Sequence, residues 1–285
     1  HFMNINFHIL KASGRLKPYL KDIEKGCKES EEKITAKIPL SNIDVVIVDN
    51  PYMAIAEIGI GGHTYTPNYI IISLDTEFAD LKKNLQLELL DTFAHELHHA
   101  ARWQTVGYGE TLFEGIISEG LADHFANEIT ERKDLHLWDK ALDSKQIAKW
   151  LKKAEEESGN KKYFHSDWFF GSKEKGIPRW TAYSLGFHLV NNYLKKHPEM
   201  KASTLYKTKA EEFRKILMEK AAECGSDALM DKYLTEGKLE NLEIEQALRQ
   251  GVVTSKIFPV FCGSSLQNKG VQLVLNGVVK FLPSP

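Results

Sequence analysis

Two histidines and a glutamate in one short segment have the spacing of a metal-activated hydrolytic site. The segment A-H-E-L-H-H-A contains the pattern H-E-x-x-H, with His95 and His99 four residues apart. On a helix, four residues turn about 40° past a full turn and rise about 6 Å, so both imidazoles lie on one face. Neutral imidazole is a preferred ligand of Zn²⁺. The pattern therefore predicts a zinc site, with Glu96 as the general base that accepts a proton from water.

A catalytic zinc site needs a third protein ligand, and the next helical pattern offers one. In the segment S-E-G-L-A-D, Glu119 lies 20 residues beyond His99, which leaves room for one helix to end and another to return. Asp123 lies four residues after Glu119 and hence on the same helix face. From there it can accept a hydrogen bond from the second nitrogen of His95 and fix the tautomer of that ring.

Other residues compete for these roles. Glu114 and His124 are rival third ligands, but Glu114 precedes the predicted helix and His124 points away from its Glu119 face. His98 faces away from the histidine pair, and we interpret it as a hydrogen-bonded structural residue. Two imidazoles and a carboxylate suit zinc, but other divalent ions can occupy such a set.

The elements that must position these groups are strands followed by helices. The expected strands are Ile43–Val48, Ala54–Ile60 and Tyr69–Leu74, with a glycine-rich turn at Gly59–Gly62. Helical patterns cover residues 15–38, 117–129, 135–157 and 180–194 and the stretch from about 80 through the histidine segment, with a loop at 161–176. This order predicts an α+β fold, with a small sheet, a hairpin edge and active-site helices, rather than alternating βαβ units.

The composition is that of a soluble globular protein. The 285 residues are 42% hydrophobic and 27% charged, and 37 basic against 39 acidic residues give a formal charge of −2. This balance argues against nucleic acid and a membrane surface as partners. The chain has no apolar run of about 18 residues and no signal-peptide pattern, so we expect no transmembrane helix. The three scattered cysteines fit a reducing compartment, and we expect a cytoplasmic location.

Residues from about 40 to 212 resemble the YjaZ-like predicted zinc proteases of bacteria, within the gluzincins. The resemblance rests on H-E-L-x-H and on S-E-G-L-A-D-x-F. It also includes the glycine hairpin of 59–73 and the segment R-W-x-x-Y-S-L-G at 179–186. It implies a zincin-like metallopeptidase fold.

The same resemblance implies a role for each residue of the motif. His95, His99 and Glu119 are then the zinc ligands, Glu96 is the base, and Asp123 steadies a ligand histidine. The resemblance does not define the substrate class. We expect a peptide or protein substrate, hydrolysed by metal-activated water.

Peptide hydrolysis also needs a hydrogen-bond donor for the oxyanion. Tyr183, in the Y-x-x-G helix that the family shares, is the expected donor, with His188 and His165 as runners-up. The plain alternative for Tyr183 is a packing aromatic at helical spacing. Tyr69–Leu74, or its partner across the glycine turn, is a candidate edge strand with which an extended substrate could pair.

Residues 213–285 resemble an unrelated protein, elongation factor G, at the end of its GTP-binding domain. The resemblance includes A-L-R-Q-G, F-P-V-F-C-G-S-S-L-Q-N-K-G-V-Q and the terminal F-L-P-S-P. We expect a small α/β segment, with a strand at Ile257–Phe261 and a helix at Val271–Phe281. The phosphate loop G-x-x-x-x-G-K-[ST] and the N-K-x-D motif are missing from the sequence, so GTP binding is not expected. The expected domains are thus 1–212, a metallopeptidase, and 213–285, an elongation-factor-like fragment.

Together these patterns predict a zinc-dependent peptidase. The alternative is a non-enzymatic metal-stabilised binding module, translation-associated through its elongation-factor-like tail. A fourth protein ligand such as His63 or His165 would close the metal and favour the module, whereas a position left for water favours the enzyme. A purely structural role would not require Glu96.

Overall fold

The apolar runs in the first part of the chain form a four-stranded sheet in the computed structural model, which describes residues 5–213, 232 and 239–254. The strands are β1 (Ile5–Ile9), β2 (Ile43–Asp49), β3 (Ile60–Thr66) and β4 (Tyr69–Leu74), in the spatial order β1-β2-β4-β3. β2 pairs in parallel with both β1 and β4, and β3 runs antiparallel to β4. β3 is therefore an edge strand, and β4 is internal.

The helices follow the strands in the chain, apart from the first. They are α1 (Leu20–Thr35), α2 (Leu81–Trp103), α3 (Leu112–Thr130), α4 (Ser144–Glu156), α5 (His165–Phe169), α6 (Thr181–Lys196), α7 (Ala202–Leu205) and α8 (Asn241–Val253). The fold is α+β, as predicted. None of the helices that the structure describes combines the length and the apolar composition needed to span a bilayer.

The sheet buries one face because its side chains alternate along each strand. In β2, fully buried residues alternate with more exposed ones, and α1 and α2 pack against the buried side. Apolar side chains from the strands and both helices form the core: Ile23, Ile34, Ile43, Val45, Ile47, Ile70, Ile72, Leu89, Phe93 and Leu97. The apolar half of α2 is thus fixed to the sheet, which holds its histidine-bearing half in place.

The strand predicted at Ala54–Ile60 is wrong. That segment consists mainly of turns with one isolated bridge, and the strand begins at Ile60 and runs through both Gly61 and Gly62. These glycines allow close contacts rather than a turn: a Cβ on Gly61 would lie 2.2 Å from the carbonyl oxygen of Met53. Thr66 and Tyr69 pair with each other, so the two residues between them form the hairpin turn.

Three further differences from the prediction are local. β1 was not predicted, and together with α1 and β2 it makes one β-α-β unit. Only Ser144–Glu156 of the predicted helix at 135–157 is helical, and the predicted loop at 161–176 contains the short helix α5. The strand and helix expected at 257–261 and 271–281 lie outside the described residues.

The backbones of α3 and α6 touch. A Cβ on Gly120 would lie 2.2 Å from the carbonyl oxygen of Gly186, and a Cβ on Gly186 would lie 2.2 Å from that of Ile116. Only glycine at both positions permits this spacing.

By contacts, the chain divides into two compact units. One comprises the residues up to Ala141 together with Lys153–Thr208, and the other comprises Leu142–Lys152 together with the residues from Lys209 onward. The sheet and the predicted site residues all belong to the first unit. The domain boundary between residues 212 and 213 remains a prediction.

Candidate metal centre

Two helices bring three donor atoms to one point. α2 presents His95 and His99 from one face, with their Nε2 atoms 3.0 Å apart. α3 returns beside α2, and Oε2 of Glu119 lies 3.1 Å from Nε2 of His95 and 3.2 Å from Nε2 of His99. The three residues that the sequence predicts as metal ligands are therefore together, two of them buried and His95 partly so.

The start of α3 is fixed by its own sequence. Thr111 and Glu114 form a capping box, in which each side chain accepts a hydrogen bond from the backbone N–H of the other residue. Such a box satisfies two amide groups that a helix start leaves without partners. It sets where the helix begins and hence on which face Glu119 emerges, two turns later.

The donor set and its dimensions fit Zn²⁺. A tetrahedral zinc ion with bonds of about 2.0–2.1 Å separates its ligand atoms by about 3.3 Å, close to the 3.0–3.2 Å found here. Among the residues that the structure describes, no fourth His, Cys, Asp or Glu joins the group, and His63 and His165 are outside it. Three protein ligands are the usual number in catalytic zinc sites, whereas structural sites have four.

Asp123 orients His95. Its Oδ1 lies 2.9 Å from Nδ1 of His95 and accepts a second hydrogen bond from Nε1 of Trp138 at 3.1 Å. Because a carboxylate only accepts, Nδ1 of His95 carries a proton, which leaves Nε2 as the nitrogen that faces the ligand group and can bind a cation. This is the contact that the spacing of Glu119 and Asp123 predicts.

The charges of the group support one another. Burial raises the pKa of Glu119, but the charges of His99 and His95 and their hydrogen bonds outweigh it and hold that pKa well below its ordinary value. Burial likewise lowers the pKa of His95, and Asp123 and Glu119 more than reverse this. Glu119 is therefore an ionised carboxylate, which is the form that binds a cation.

Glu96 lies beside the edge strand β3 and is not part of the ligand group. Its side chain is 6% exposed, and the hydroxyl of Thr64 on β3 lies 2.7 Å from Oε2. A Cβ on Gly62 would lie 2.4 Å from Cγ of Glu96, so this glycine leaves the room that the carboxylate occupies. Glu96, next to His95 on α2, thus contacts the edge strand directly.

Tyr108 is a site residue that the sequence analysis missed. Its hydroxyl donates to Oε1 of Glu119 at 2.5 Å, and its ring lies edge-on to that of His99 with 5.2 Å between centroids. It lies in the loop between α2 and α3, flanked by Gly107 and Gly109, whose φ angles are 89° and 122°. Those two glycines were the signal, because they indicate a loop held in one specific conformation.

Tyr183 on α6 packs against other aromatic side chains beside the site. Its ring packs against Phe169 at 5.2 Å between centroids. Burial raises the pKa of Tyr183 well above its ordinary value, and the charges of Glu119, Asp123 and Glu96 raise it further. Its hydroxyl therefore keeps its proton and remains a hydrogen-bond donor close to these carboxylates.

The two other candidate donors differ in position. His165 stacks on Phe169 with 4.0 Å between ring centroids. Burial lowers the pKa of His165, and its electrostatic partners include Glu119. Burial also lowers the pKa of His188, but the charged neighbours of that residue are Asp139 and Lys195, away from the ligand group.

The rival ligands are engaged elsewhere. The carboxylate of Glu114 caps α3, as described above. Nε2 of His124 lies 3.0 Å from the carbonyl oxygen of Phe187, on whose ring it stacks. His98 is fully buried against Phe125 and points away from the pair, as expected.

A second buried cluster lies behind Asp123. Nδ1 of His136 is 2.8 Å from Asp139, and its Nε2 is 2.9 Å from Asp91. Asp123, His136 and Asp139 also lie close enough to hold an ion. Both nitrogens of His136 face carboxylates, whose hydrogen bonds outweigh burial and raise the pKa of that ring to about 10. This cluster is therefore a buried ion network next to the metal centre.

Part of the chain is similar to a known elongation factor. A relative of the last part of the chain is elongation factor G 2 of Syntrophomonas wolfei subsp. wolfei (strain DSM 2245B / Goettingen), 46% identical over 79 residues. The match covers 28% of this chain and 11% of that protein, so the chain spans about a tenth of its relative, and it confirms the predicted resemblance to elongation factor G.

No solved structure matches the chain. A family model described as "Predicted Zn-dependent protease (DUF2268)" matches residues 23–215, which is 193 of the 285 residues and hence more than half of the chain. The predicted resemblance to zinc proteases is therefore confirmed, and the chain belongs to the predicted Zn-dependent protease family DUF2268.

Proposed function

We propose that this chain is a zinc-dependent peptidase, in which His95, His99 and Glu119 hold the ion and Glu96 is the general base. The main observation behind the proposal is that three donor atoms, one from each proposed ligand, lie 3.0–3.2 Å apart. The carboxylate of Glu96, which follows His95 on α2, does not belong to this group. The family supports zinc and proteolysis in general. The role of each residue rests on the geometry described above.

Bound Zn²⁺ would supply the Lewis acidity that makes a water molecule acidic near neutral pH. Glu96 accepts a proton from the water that attacks the peptide carbonyl carbon. When the C–N bond breaks, Glu96 returns this proton to the leaving amine. Thr64 supports this role, because its hydrogen bond to Oε2 holds the carboxylate in one orientation while Oε1 takes the proton.

The carbonyl oxygen gains negative charge during the attack and needs a donor. Tyr183 is our choice for this role. Its raised pKa, caused by burial and by Glu119, Asp123 and Glu96, keeps the hydroxyl protonated. A donor that is already in place costs no reorganisation when the charge develops.

The edge strand supports a peptide as the substrate. β3 pairs with β4 on one side, and the hydroxyl of Thr64 and the backbone of Gly62 lie against Glu96. An extended peptide that adds to the outer edge of β3 would run past Glu96 and the ligand group. Main-chain hydrogen bonds would give affinity without requiring a particular sequence.

Zinc content and hydrolysis of an unfolded protein, measured on the same preparations, test the proposal. We expect the wild type to hold one zinc ion and to cleave. Glu96→Gln should retain the zinc and lose about 10²–10⁴-fold in rate, and His99→Ala should lose both. Glu77→Gln, an exposed carboxylate outside the site, is the matched control. Undiminished cleavage by Glu96→Gln would exclude the assigned base.

The same measurements decide the alternative function. A wild-type protein that binds zinc tightly but cleaves no unfolded protein would be a metal-stabilised binding module. The segment similar to elongation factor G supports that alternative, since it points to translation. Co-sedimentation with ribosomes, compared before and after deletion of residues 255–285, would then test it.

A further inference from the structure

The two oxygens of the Glu119 carboxylate have different partners. Oε2 faces both imidazoles, at 3.1 Å from His95 and 3.2 Å from His99. Oε1 accepts a hydrogen bond from Tyr108 at 2.5 Å. A free carboxylate can bind a metal through one oxygen or through both. Here one oxygen is already occupied.

We propose that Tyr108 is a positioning residue that makes Glu119 a one-oxygen ligand. The proposal rests on the metal centre proposed above. By occupying Oε1, the phenol turns Oε2 toward the two imidazoles, and it keeps Oε1 from becoming an additional ligand. The position that a second carboxylate oxygen would take is thereby left for the reacting groups.

Tyr108 is also held through its backbone carbonyl. The Ser118 hydroxyl donates to the carbonyl oxygen of Tyr108 at 2.5 Å, and Nε of Arg102 donates to the same Ser118 oxygen at 3.2 Å. Arg102 is 1% exposed and also donates to the carbonyl oxygen of Thr208 at 3.0 Å. A buried guanidinium therefore fixes Ser118, which fixes the loop.

The loop has no room to relax away from this arrangement. A Cβ on Gly109 would lie 2.3 Å from Cβ of Glu114, so the chain passes directly over the start of α3. The ring of Tyr108 also contacts that of His99. These contacts hold the phenol toward Glu119 from both ends.

The alternative role for Tyr108 is donor to the oxyanion. Its proton is directed at Oε1 of Glu119, whereas an oxyanion donor must direct its proton at the substrate. The two roles make different predictions. A positioning residue sets metal affinity and coordination, while an oxyanion donor sets the rate and leaves the metal unchanged.

The test compares Tyr108→Phe with Tyr163→Phe, without substrate. Each variant removes one phenol oxygen, and the hydroxyl of Tyr163 lies 3.3 Å from His165 rather than on a proposed ligand. We expect Tyr108→Phe to bind zinc about 10–100-fold more weakly in chelator competition. The visible absorption of its Co²⁺-substituted form should also change, because Oε1 becomes free to coordinate. Tyr163→Phe should match the wild type in both measurements.

Ser118→Ala supplies a second variant that leaves the phenol intact. It frees the carbonyl oxygen of Tyr108, so we expect a smaller loss of zinc affinity in the same direction. Wild-type zinc affinity and an unchanged Co²⁺ spectrum in Tyr108→Phe would overturn the inference, even if cleavage slows. A wild-type protein without zinc affinity would instead overturn the proposed metal centre itself.

Discussion

Gly62 lies so close to Glu96 that a single methyl group would not fit between them. A Cβ at position 62 would be 2.4 Å from Cγ of Glu96 and 2.7 Å from its Oε1. The edge strand and the histidine-bearing helix are therefore in contact at the proposed general base. Glu96 can occupy its position because residue 62 has no side chain.

Gly62→Ala is expected to displace Glu96 without unfolding the protein, because the clash falls on a side chain that can rotate. Displacement of a reacting group by about 1 Å costs about 100-fold in rate. We expect that loss in kcat, with zinc content unchanged, in hydrolysis of an unfolded protein. Gly159→Ala is the control, since a Cβ there meets nothing within 4 Å. Full activity in Gly62→Ala would show that Glu96 is free to move.

Thr64→Val keeps the shape of the side chain and removes its hydrogen bond to Oε2 of Glu96, which is 2.7 Å long. A hydrogen bond to a charged group contributes about 1.5–3 kcal/mol, so we expect a fall of about tenfold or more in kcat/KM. Zinc affinity should not change, because Thr64 touches no proposed ligand. The matched control is Thr130→Val, which removes a hydroxyl from the end of α3. Equal rates in both variants would refute this role of Thr64.

Gly120→Ala is expected to destabilise the protein more than any surface change. Its Cβ would lie 2.2 Å from the backbone oxygen of Gly186, and backbone cannot rotate away. Overpacking costs about 1–3 kcal/mol or more, and the helix that carries Glu119 must shift. Urea unfolding of the metal-free protein measures the loss of stability. Chelator competition measures how far the shift of Glu119 weakens zinc binding. Wild-type stability in Gly120→Ala would contradict the close contact of α3 and α6.

Stability should fall at alkaline pH through His136. Burial lowers the pKa of His136, but its hydrogen bonds to Asp139 and Asp91 outweigh this and raise the pKa to about 10. The unfolded value is about 6.5. A group whose pKa is raised by folding makes its full contribution to the free energy of unfolding at pH values below its unfolded pKa. The contribution of His136 is therefore lost as the pH rises from about 6.5 to about 10.

The measurement is urea unfolding of the wild type and His136→Ala between about pH 6 and pH 10. We expect a difference of about 3–5 kcal/mol at the acidic end, because removal of the imidazole takes away the cation that the buried carboxylates of Asp139 and Asp91 share. The difference should narrow as the pH rises. His8→Ala breaks an exposed pair with Asp44 and should leave stability nearly unchanged throughout this pH range. A pH-independent difference would show that His136 is neutral.

The side chains that α2 and α3 bring to the site could be predicted because each pair lies within one continuous helical segment. His95 and His99 share a face through their spacing alone, and the same holds for Glu119 and Asp123. The fold class followed from the order of apolar patterns. These are properties of continuous segments, which a sequence displays directly.

The rest depends on contacts between distant segments. Gly61 and Gly62 carry a turn signal, and only their pairing with Ser73 and Ile72 of β4 shows that they belong to a strand. Tyr108 lies in a loop without periodicity, and its partner is on the following helix. His136 meets Asp91 across 45 residues. No local pattern predicts such pairs.

The glycine contact between α3 and α6 fixes the relative position of two proposed site residues, Glu119 and Tyr183. Glu119 is one residue before Gly120, and Tyr183 is three residues before Gly186. Two helices whose main chains interlock in this way do not slide past each other. The spacing between the proposed metal ligand Glu119 and the proposed oxyanion donor Tyr183 is thus set when the two helices pack.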